Sequence, residues 1–249
     1  MIHPAIVAVA VGAAIATASL HAGQVPVDAD KHRQGIVRYH AGRDEMAHER
    51  WDRAVDDFQK AVALDPLIAA AYYDLGRTYM QMKRYADAVR AFASCREASQ
   101  QLFALELEAT VDTRQQLAEN ERGLEATLGQ SVRPNPRKVA VAKEQLSEVK
   151  ERRRALEAYT DVLGSSYVVP PDLSMALGSA YFRSGAMADA EREYRAAIEA
   201  RPAFGEAHSN LAVLLMATNR RPEAIAHVKA AEAAGFRVNA ELKKELGIR

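Results

Sequence analysis

Three residues in the first third of the chain have types and spacing that could bind a metal ion. His40, Asp44 and His48 are four residues apart, so on an α-helix they would lie along one face. Imidazole nitrogens and carboxylate oxygens are ligands that Zn²⁺ accepts. The nearby sequence offers no supporting ligand, and short motifs of this kind often match by chance. We therefore interpret both histidines as solvated or partner-facing residues and predict no metal site.

No other sequence pattern points to catalysis. The chain contains no glycine-rich phosphate loop, no Gly-x-Ser-x-Gly and no His-Glu-x-x-His. Cys95 is the single cysteine, so neither an intrachain disulfide nor a cysteine-based zinc site can form. We therefore predict a protein that is not an enzyme and carries no cofactor. An enzyme or metal protein built around the His40 face is kept only as a third alternative.

The charge balance limits the class of partner. Lys and Arg total 33, as do Asp and Glu, so the formal net charge is zero. This balance lacks the basic excess of nucleic-acid-binding proteins and the acidic tracts of disordered ones. Abundant alanine with only 13 glycines and 9 prolines suits helices that pack through small residues. The composition thus predicts helical structure and no nucleic-acid partner.

The N-terminal segment differs from the rest of the chain. Residues 4–20 are uncharged and are followed by small residues, a pattern that resembles a bacterial secretory signal peptide. The stretch before them contains no Lys or Arg, and an uncleaved membrane anchor is the alternative, although the alanine-rich run is marginally apolar for a span. We predict a signal peptide or anchor at residues 1–22, with the mature protein periplasmic or secreted.

A helical repeat organises most of the remaining chain. Ala54, Phe58 and Ala61 precede a helix-stopping Pro66. The pattern of small and aromatic residues returns at Gly76, Ala88, Phe92 and Cys95, at Gly178, Ala190, Tyr194 and Pro202, and at Leu211, Ala224, Val228 and Ala231. These residues and the 34-residue step from Phe58 to Phe92 resemble the tetratricopeptide repeat (TPR) family.

This resemblance implies an all-α solenoid of helix-turn-helix units. Repeats one and two occupy residues 30–102, and repeats three and four occupy residues 171–238. Residues 239–249 follow, and there Leu242 and Leu246 would lie on one helical face. We predict that they form a capping helix that covers the last apolar surface.

The intervening residues 103–170 carry a different signal. Gln100 stands where Pro66 ended the first repeat, so nothing stops the helix, which we expect to continue to about residue 128. After a turn at residues 131–137, apolar residues again recur at heptad spacing. We predict an antiparallel coiled-coil hairpin. Folding at the turn would bring Arg114 near Arg153, with Glu121 also in the seam.

The resemblance also implies a concave groove formed by the first helix of each repeat. Tyr39 with Tyr73 and Arg43 with Arg77 recur in adjacent repeats, and the arginines could hold carboxylates of a partner. The alternative is that Asp74 neutralises the arginines and that the methionines pack between helices. The predicted groove residues are Tyr39, His40, Arg43, Met46, Tyr73, Asp74, Arg77, Met80, Met175, Ser179, Phe182, Ser209, Asn210 and Met216.

The family uses Lys and Asn at some of these positions to clamp the C-terminus of a chaperone. Tyr39 and Arg43 stand there instead, which argues against a co-chaperone of that kind. We expect a non-catalytic adaptor or scaffold that binds a partner peptide or helix in the groove, with the hairpin as second contact surface, in a bacterial envelope complex. The alternative is a structural module that forms homo-oligomers through the hairpin.

Overall fold

The computed structural model describes residues 28–129, 135–163 and 167–248. The predicted signal segment 1–22 and most of the predicted turn at 131–137 lie outside these residues. The described residues contain ten helices and no strand. The helices are α1 (Ala29–Ala47), α2 (Trp51–Leu64), α3 (Ala69–Gln81), α4 (Tyr85–Gly129), α5 (Pro136–Leu163), α6 (Pro171–Ser184), α7 (Met187–Ala200), α8 (Gly205–Ala217), α9 (Arg221–Ala233) and α10 (Ala240–Glu245).

The chain divides into two compact units. The repeat unit comprises Val27–Gln100 and Val168–Arg249, and the insertion unit includes Gln101–Tyr167. Helix α4 belongs to both, since its 45 residues run from the second repeat into the insertion. The two halves of the repeat array therefore form one unit although 67 residues separate them in the chain.

A glycine facing an aromatic ring sets the approach of the two helices in three of the repeats. A Cβ atom added at Gly42 would lie 2.7 Å from the ring of Phe58. The corresponding distance is 2.6 Å for Gly76 and Phe92, and 2.7 Å for Gly178 and Tyr194. Only glycine permits these contacts, because overlap of a Cβ with a buried ring would force the helices apart. The predicted all-α solenoid of helix-turn-helix repeats is confirmed.

The turn between the two helices of each repeat contains one residue in the left-handed region. These residues are Glu49, Lys83, Gly185 and Asn219, with φ between 57° and 87°. In each turn the next residue donates its N–H to a carbonyl five residues earlier, as from Arg84 to Tyr79 at 2.9 Å. This bond satisfies a carbonyl left free at the end of the first helix. The turn thus ends each first helix without a proline.

Two large apolar clusters fill the repeat unit. The first includes Phe58 and Phe92 and continues to Leu177 in the third repeat. The second packs Tyr194 and Val228 with the C-terminal residues Val238, Leu242 and Leu246. Burial of the last two leucines places the face of α10 over the fourth repeat, where an apolar surface would otherwise meet water.

The insertion unit contains the C-terminal part of α4 and all of α5. Lys150 Nζ lies 2.8 Å from Glu125 Oε1, and Arg153 Nε lies 3.0 Å from Glu121 Oε2. Arg153 therefore pairs with Glu121, and Arg114 is exposed, so the register differs by one heptad from the expected Arg114–Arg153 neighbourhood. Coiled-coil packing of the two helices stays a prediction. Among the described helices, none combines the length and the hydropathy that a bilayer span requires.

Candidate functional site

Three predicted groove residues on α1 and α3 meet at the carboxylate of a fourth, Asp74. The Tyr39 hydroxyl donates to Asp74 Oδ2 at 3.2 Å, and Arg77 Nη1 donates to Asp74 Oδ1 at 3.2 Å. Arg43 Nε lies 3.8 Å from Asp74 Oδ2. The four side chains, which we name the Asp74 cluster, come from the same turn of adjacent repeats. Asp74 thus contacts both arginines, as the alternative that it neutralises them requires.

The Asp74 cluster retains positive charge and free donors. Its single carboxylate opposes two guanidinium groups, so its formal charge is +1. The Asp74 side chain is 10% exposed, whereas those of Arg43 and Arg77 are 59% and 53% exposed. A guanidinium has five N–H donors, and the contacts with Asp74 use few of them. Water or a ligand can therefore reach most donors of both arginines.

Tyr39 remains a hydrogen-bond donor at physiological pH. Burial raises the pKa of its phenol, and the neighbouring Asp74 carboxylate raises it further. Its ring lies 5.8 Å from the guanidinium carbon of Arg43, within the range of a cation–π contact. These contacts place the Tyr39 ring beside the Arg43 guanidinium group.

Tyr73 and His40 flank the Asp74 cluster. The Tyr73 ring packs 5.6 Å from that of Phe92, and burial raises the pKa of its phenol. The His40 side chain is exposed, with its ring 5.4 Å from Tyr39. The structure thus places both residues next to the cluster but outside its hydrogen bonds.

The predicted methionine and phenylalanine ladder has a packing role. Met46 and Met80 are half-buried against the first apolar cluster, and Phe182 and Met216 against the second. The Thr78 hydroxyl also contacts Met46 Sδ at 3.5 Å. These contacts favour the interpretation that the ladder packs between helices.

The remaining predicted groove residues, on α6 and α8, are uncharged. Ser179 Oγ bonds to the Met175 carbonyl at 3.0 Å and accepts from the Tyr194 hydroxyl at 3.2 Å. Asn210 Nδ2 lies 3.8 Å from Met175 Sδ. Ser209 is buried at 8% exposure. This half of the predicted site joins Met175, Ser179 and Asn210, without a charged side chain among them.

The histidines of α1 and Cys95 are the other candidates for a chemical role that the sequence offers. In the described part of the chain, no group of three or more His, Cys, Asp or Glu side chains is placed to hold a metal ion. His48 Nδ1 lies 2.7 Å from the Asp44 carbonyl oxygen. Cys95 is buried, and burial raises the pKa of its thiol to about 11. The thiol therefore stays protonated at physiological pH.

Sequence reasoning missed two buried polar contacts. Arg96 of α4 forms a two-pronged ion pair with Glu193 of α7, including Nη1 to Oε1 at 3.2 Å. His208 Nδ1 lies 2.9 Å from His227 Nδ1. The first pair spans 97 residues, so no local spacing reveals it. The two residues become neighbours only because the third repeat stacks directly on the second.

Comparison with known proteins identifies the repeat. The family model of the tetratricopeptide repeat matches residues 39–101, 150–203 and 175–236, which together make up more than half of the chain. A comparison with curated proteins gave no match.

Several solved structures are similar in fold. MamA AMB-1 is 18% identical, with 80% of this chain and 76% of that chain covered and a TM-score of 0.47. YrrB, a TPR protein with an unusual peptide-binding site, is 16% identical over 84% and 90%, with a TM-score of 0.30. PilW, a type IV pilus biogenesis factor, is 15% identical over 86% of each chain, with a TM-score of 0.37. At these scores the likenesses carry no argument about function.

Proposed function

Because the chain belongs to the tetratricopeptide repeat family, whose members mediate protein–protein interactions, we propose that it is a non-catalytic adaptor that binds an acidic segment of a partner protein. The segment lies across the exposed faces of α1 and α3. The Asp74 cluster is the observation that carries this proposal, since it offers a formal charge of +1 with accessible guanidinium donors.

The chemistry of the Asp74 cluster favours a carboxylate as ligand. Arg guanidinium groups bind carboxylates with two parallel hydrogen bonds, and a hydrogen bond to a charged group contributes about 1.5–3 kcal/mol. Arg43 and Arg77 are already oriented by Asp74, so binding orders fewer side-chain rotamers than it would for free arginines. Tyr39 adds aromatic contact area beside Arg43.

The uncharged half of the predicted groove suits a neutral part of the same partner segment. Met175 and Met216 are half-buried, so each leaves part of a flexible, polarizable side chain accessible. Val213 on α8 is 38% exposed. A segment with an acidic portion and an apolar portion would therefore find complementary chemistry on the two halves.

Selection from a displayed peptide library tests this function. We expect peptides selected on the full chain to be enriched in Asp and Glu. The double variant Arg43→Gln/Arg77→Gln should bind a selected acidic peptide at least about tenfold more weakly in fluorescence polarisation, a loss of about 1.4 kcal/mol. The Gln side chains retain hydrogen-bonding groups but remove both charges.

The matched control removes two arginines outside the Asp74 cluster. Arg90 and Arg192 are 74% and 64% exposed and lie on second helices of their repeats. Arg90→Gln/Arg192→Gln should leave the peptide affinity within about twofold, because long-range attraction between exposed charges is screened. Equal loss in both double variants, or selected peptides without acidic enrichment, would contradict the proposal.

The cellular setting forms a separate part of the proposal. An envelope complex is supported by the signal-peptide-like pattern of residues 4–20, and N-terminal sequencing of the protein recovered from cell fractions tests it. A contact surface on the insertion, and homo-oligomers formed through it, stay predictions.

A further inference from the structure

Two histidines in the fourth repeat form a contact that the groove does not use. His208 lies on α8 and His227 on α9, so the contact joins the two helices of one repeat. His208 is 7% exposed and His227 is half-buried. Their Nδ1 atoms are 2.9 Å apart, and their ring centroids are 5.2 Å apart. The second nitrogen of His208, Nε2, lies 3.0 Å from the carbonyl oxygen of Pro202.

These distances determine where the protons are. A carbonyl oxygen only accepts, so His208 Nε2 must carry the hydrogen that it donates to Pro202. A neutral imidazole carries one N–H, and His208 Nδ1 is therefore an acceptor. His227 Nδ1 must then carry the hydrogen of the contact between the rings. The hydrogen bond to the Pro202 carbonyl therefore determines the tautomers of both His208 and His227.

We propose that the His208–His227 contact is an acid-sensitive joint, which holds α8 against α9 near neutral pH and loosens when the pair takes up protons. A first proton on His227 Nε2 leaves the N–H···N contact in place but puts a positive charge on a half-buried ring, which costs free energy. A second proton on His208 Nδ1 would leave two N–H groups facing each other at 2.9 Å. Neither nitrogen would then have a lone pair to accept, so the rings must separate.

Charged side chains approach His227 from α7 and from its own helix, α9. Arg195 of α7 opposes its protonation, whereas Glu191 of α7 and Glu223 of α9 favour it. Arg220 forms ion pairs with both glutamates, at 2.6 Å to Glu191 and 2.7 Å to Glu223. The two acids are thus largely compensated and do not offset burial.

The direction of the pH effect follows from this environment. Burial lowers the pKa of His227 from the ordinary 6.5, and a positive charge on His208 or Arg195 lowers it further. In the unfolded chain the histidine would titrate near its ordinary value. As the pH falls through 6.5, the unfolded state binds the proton first, so folding is weakened. The stability that the neutral His227 contributes is therefore fully present above pH 6.5 and is lost progressively as the pH falls below that value.

Thermal unfolding of the full chain at about pH 7.5 and about pH 5.5 tests the joint. The variant His227→Asn keeps an amide donor near the position of Nδ1 but does not titrate. We expect it to lose at least half of the acid-induced decrease in Tm that the wild type shows. The control His40→Gln, at an exposed histidine of α1, should retain the full decrease.

Two outcomes would overturn the joint. One is an equal acid-induced decrease in Tm in the wild type and in His227→Asn. The other is an NMR titration of the wild-type protein in which the His227 ring has its midpoint at or above pH 6.5. This second measurement does not depend on the folding of the variant. We also expect hydrogen exchange, corrected for its intrinsic pH dependence, to quicken more in α8 and α9 than in α1 and α3 at acid pH.

Discussion

Different interactions stabilise the repeat unit and the insertion unit. In the repeat unit the rings of Phe58, Phe92 and Tyr194 are at most 2% exposed and lie against glycines. In the insertion, Ala142 is the one buried side chain among the described residues, at 8% exposure. Beyond the backbone of its own helix, a Cβ atom added at Gly123 of α4 would meet no atom of the described residues within 4 Å. Shape complementarity dominates the first unit, and ion pairs are the main polar link in the second.

Because of this difference, we expect the repeat unit to respond to changes in side-chain volume and the insertion unit to respond to salt. Close packing responds to a single added methyl group, since overpacking costs free energy that the surrounding helices cannot relieve. Ion pairs between partly exposed side chains respond to salt and little to side-chain volume. Substitutions matched between the two units can therefore separate the two kinds of stabilisation.

We expect the largest loss of stability when the buried ion pair of the repeat unit is broken. Arg96→Ala should lower the free energy of unfolding by about 3 kcal/mol, because Glu193, at 5% exposure, would keep a buried charge without its partner. Urea unfolding measures this loss. Replacing both partners, as in Arg96→Met/Glu193→Met, should restore stability to within about 1 kcal/mol. A double variant as unstable as the single one would contradict this explanation.

The next effect tests shape directly. Gly76→Ala should lower the free energy of unfolding by about 2 kcal/mol, since its Cβ would lie within 3 Å of the Phe92 ring. The same change in the insertion, Gly123→Ala, should raise helix stability by about 0.5–1 kcal/mol. Urea unfolding and hydrogen exchange in α4 would report the two changes. Losses of equal size at both glycines would remove the distinction between the units.

The smallest effect tests the ion pairs of the insertion. Glu121→Gln removes the carboxylate that contacts Arg153 and Lys150, and we expect hydrogen exchange in α5 to quicken by an amount that corresponds to about 1 kcal/mol at low salt. The difference should shrink in about 1 M salt, where the Debye length is about 3 Å. Glu119→Gln, at an exposed position of the same helix, is the control. A salt-independent effect of Glu121→Gln would point to packing instead.

The sequence predicts the repeats well because their defining contacts are local. Gly42 and Phe58, Gly76 and Phe92, and Gly178 and Tyr194 are each 16 residues apart, and each pair lies within one helix-turn-helix unit. Residue types at a constant spacing can therefore report them. Tyr39 and Arg43 recur with the same period, so the sequence alone could predict the residues of the Asp74 cluster.

Other contacts depend on geometry that spacing does not contain. Arg153 pairs with Glu121 and does not lie beside Arg114, because opposite charges attract whereas two guanidinium groups repel each other. The Arg96–Glu193 pair requires the third repeat to stack on the second across the insertion. The tautomers of His208 and His227 depend on the Pro202 carbonyl, whose position only the folded turn defines.

The continuity of α4 has a consequence for proteolysis. The border between the two units falls at Gln101, inside a helix that runs unbroken from Tyr85 to Gly129. A protease needs an extended backbone, and here it would have to break helical hydrogen bonds of the second repeat to obtain one. The insertion therefore cannot be trimmed cleanly at this border, and a nick there would leave the end of a core helix frayed.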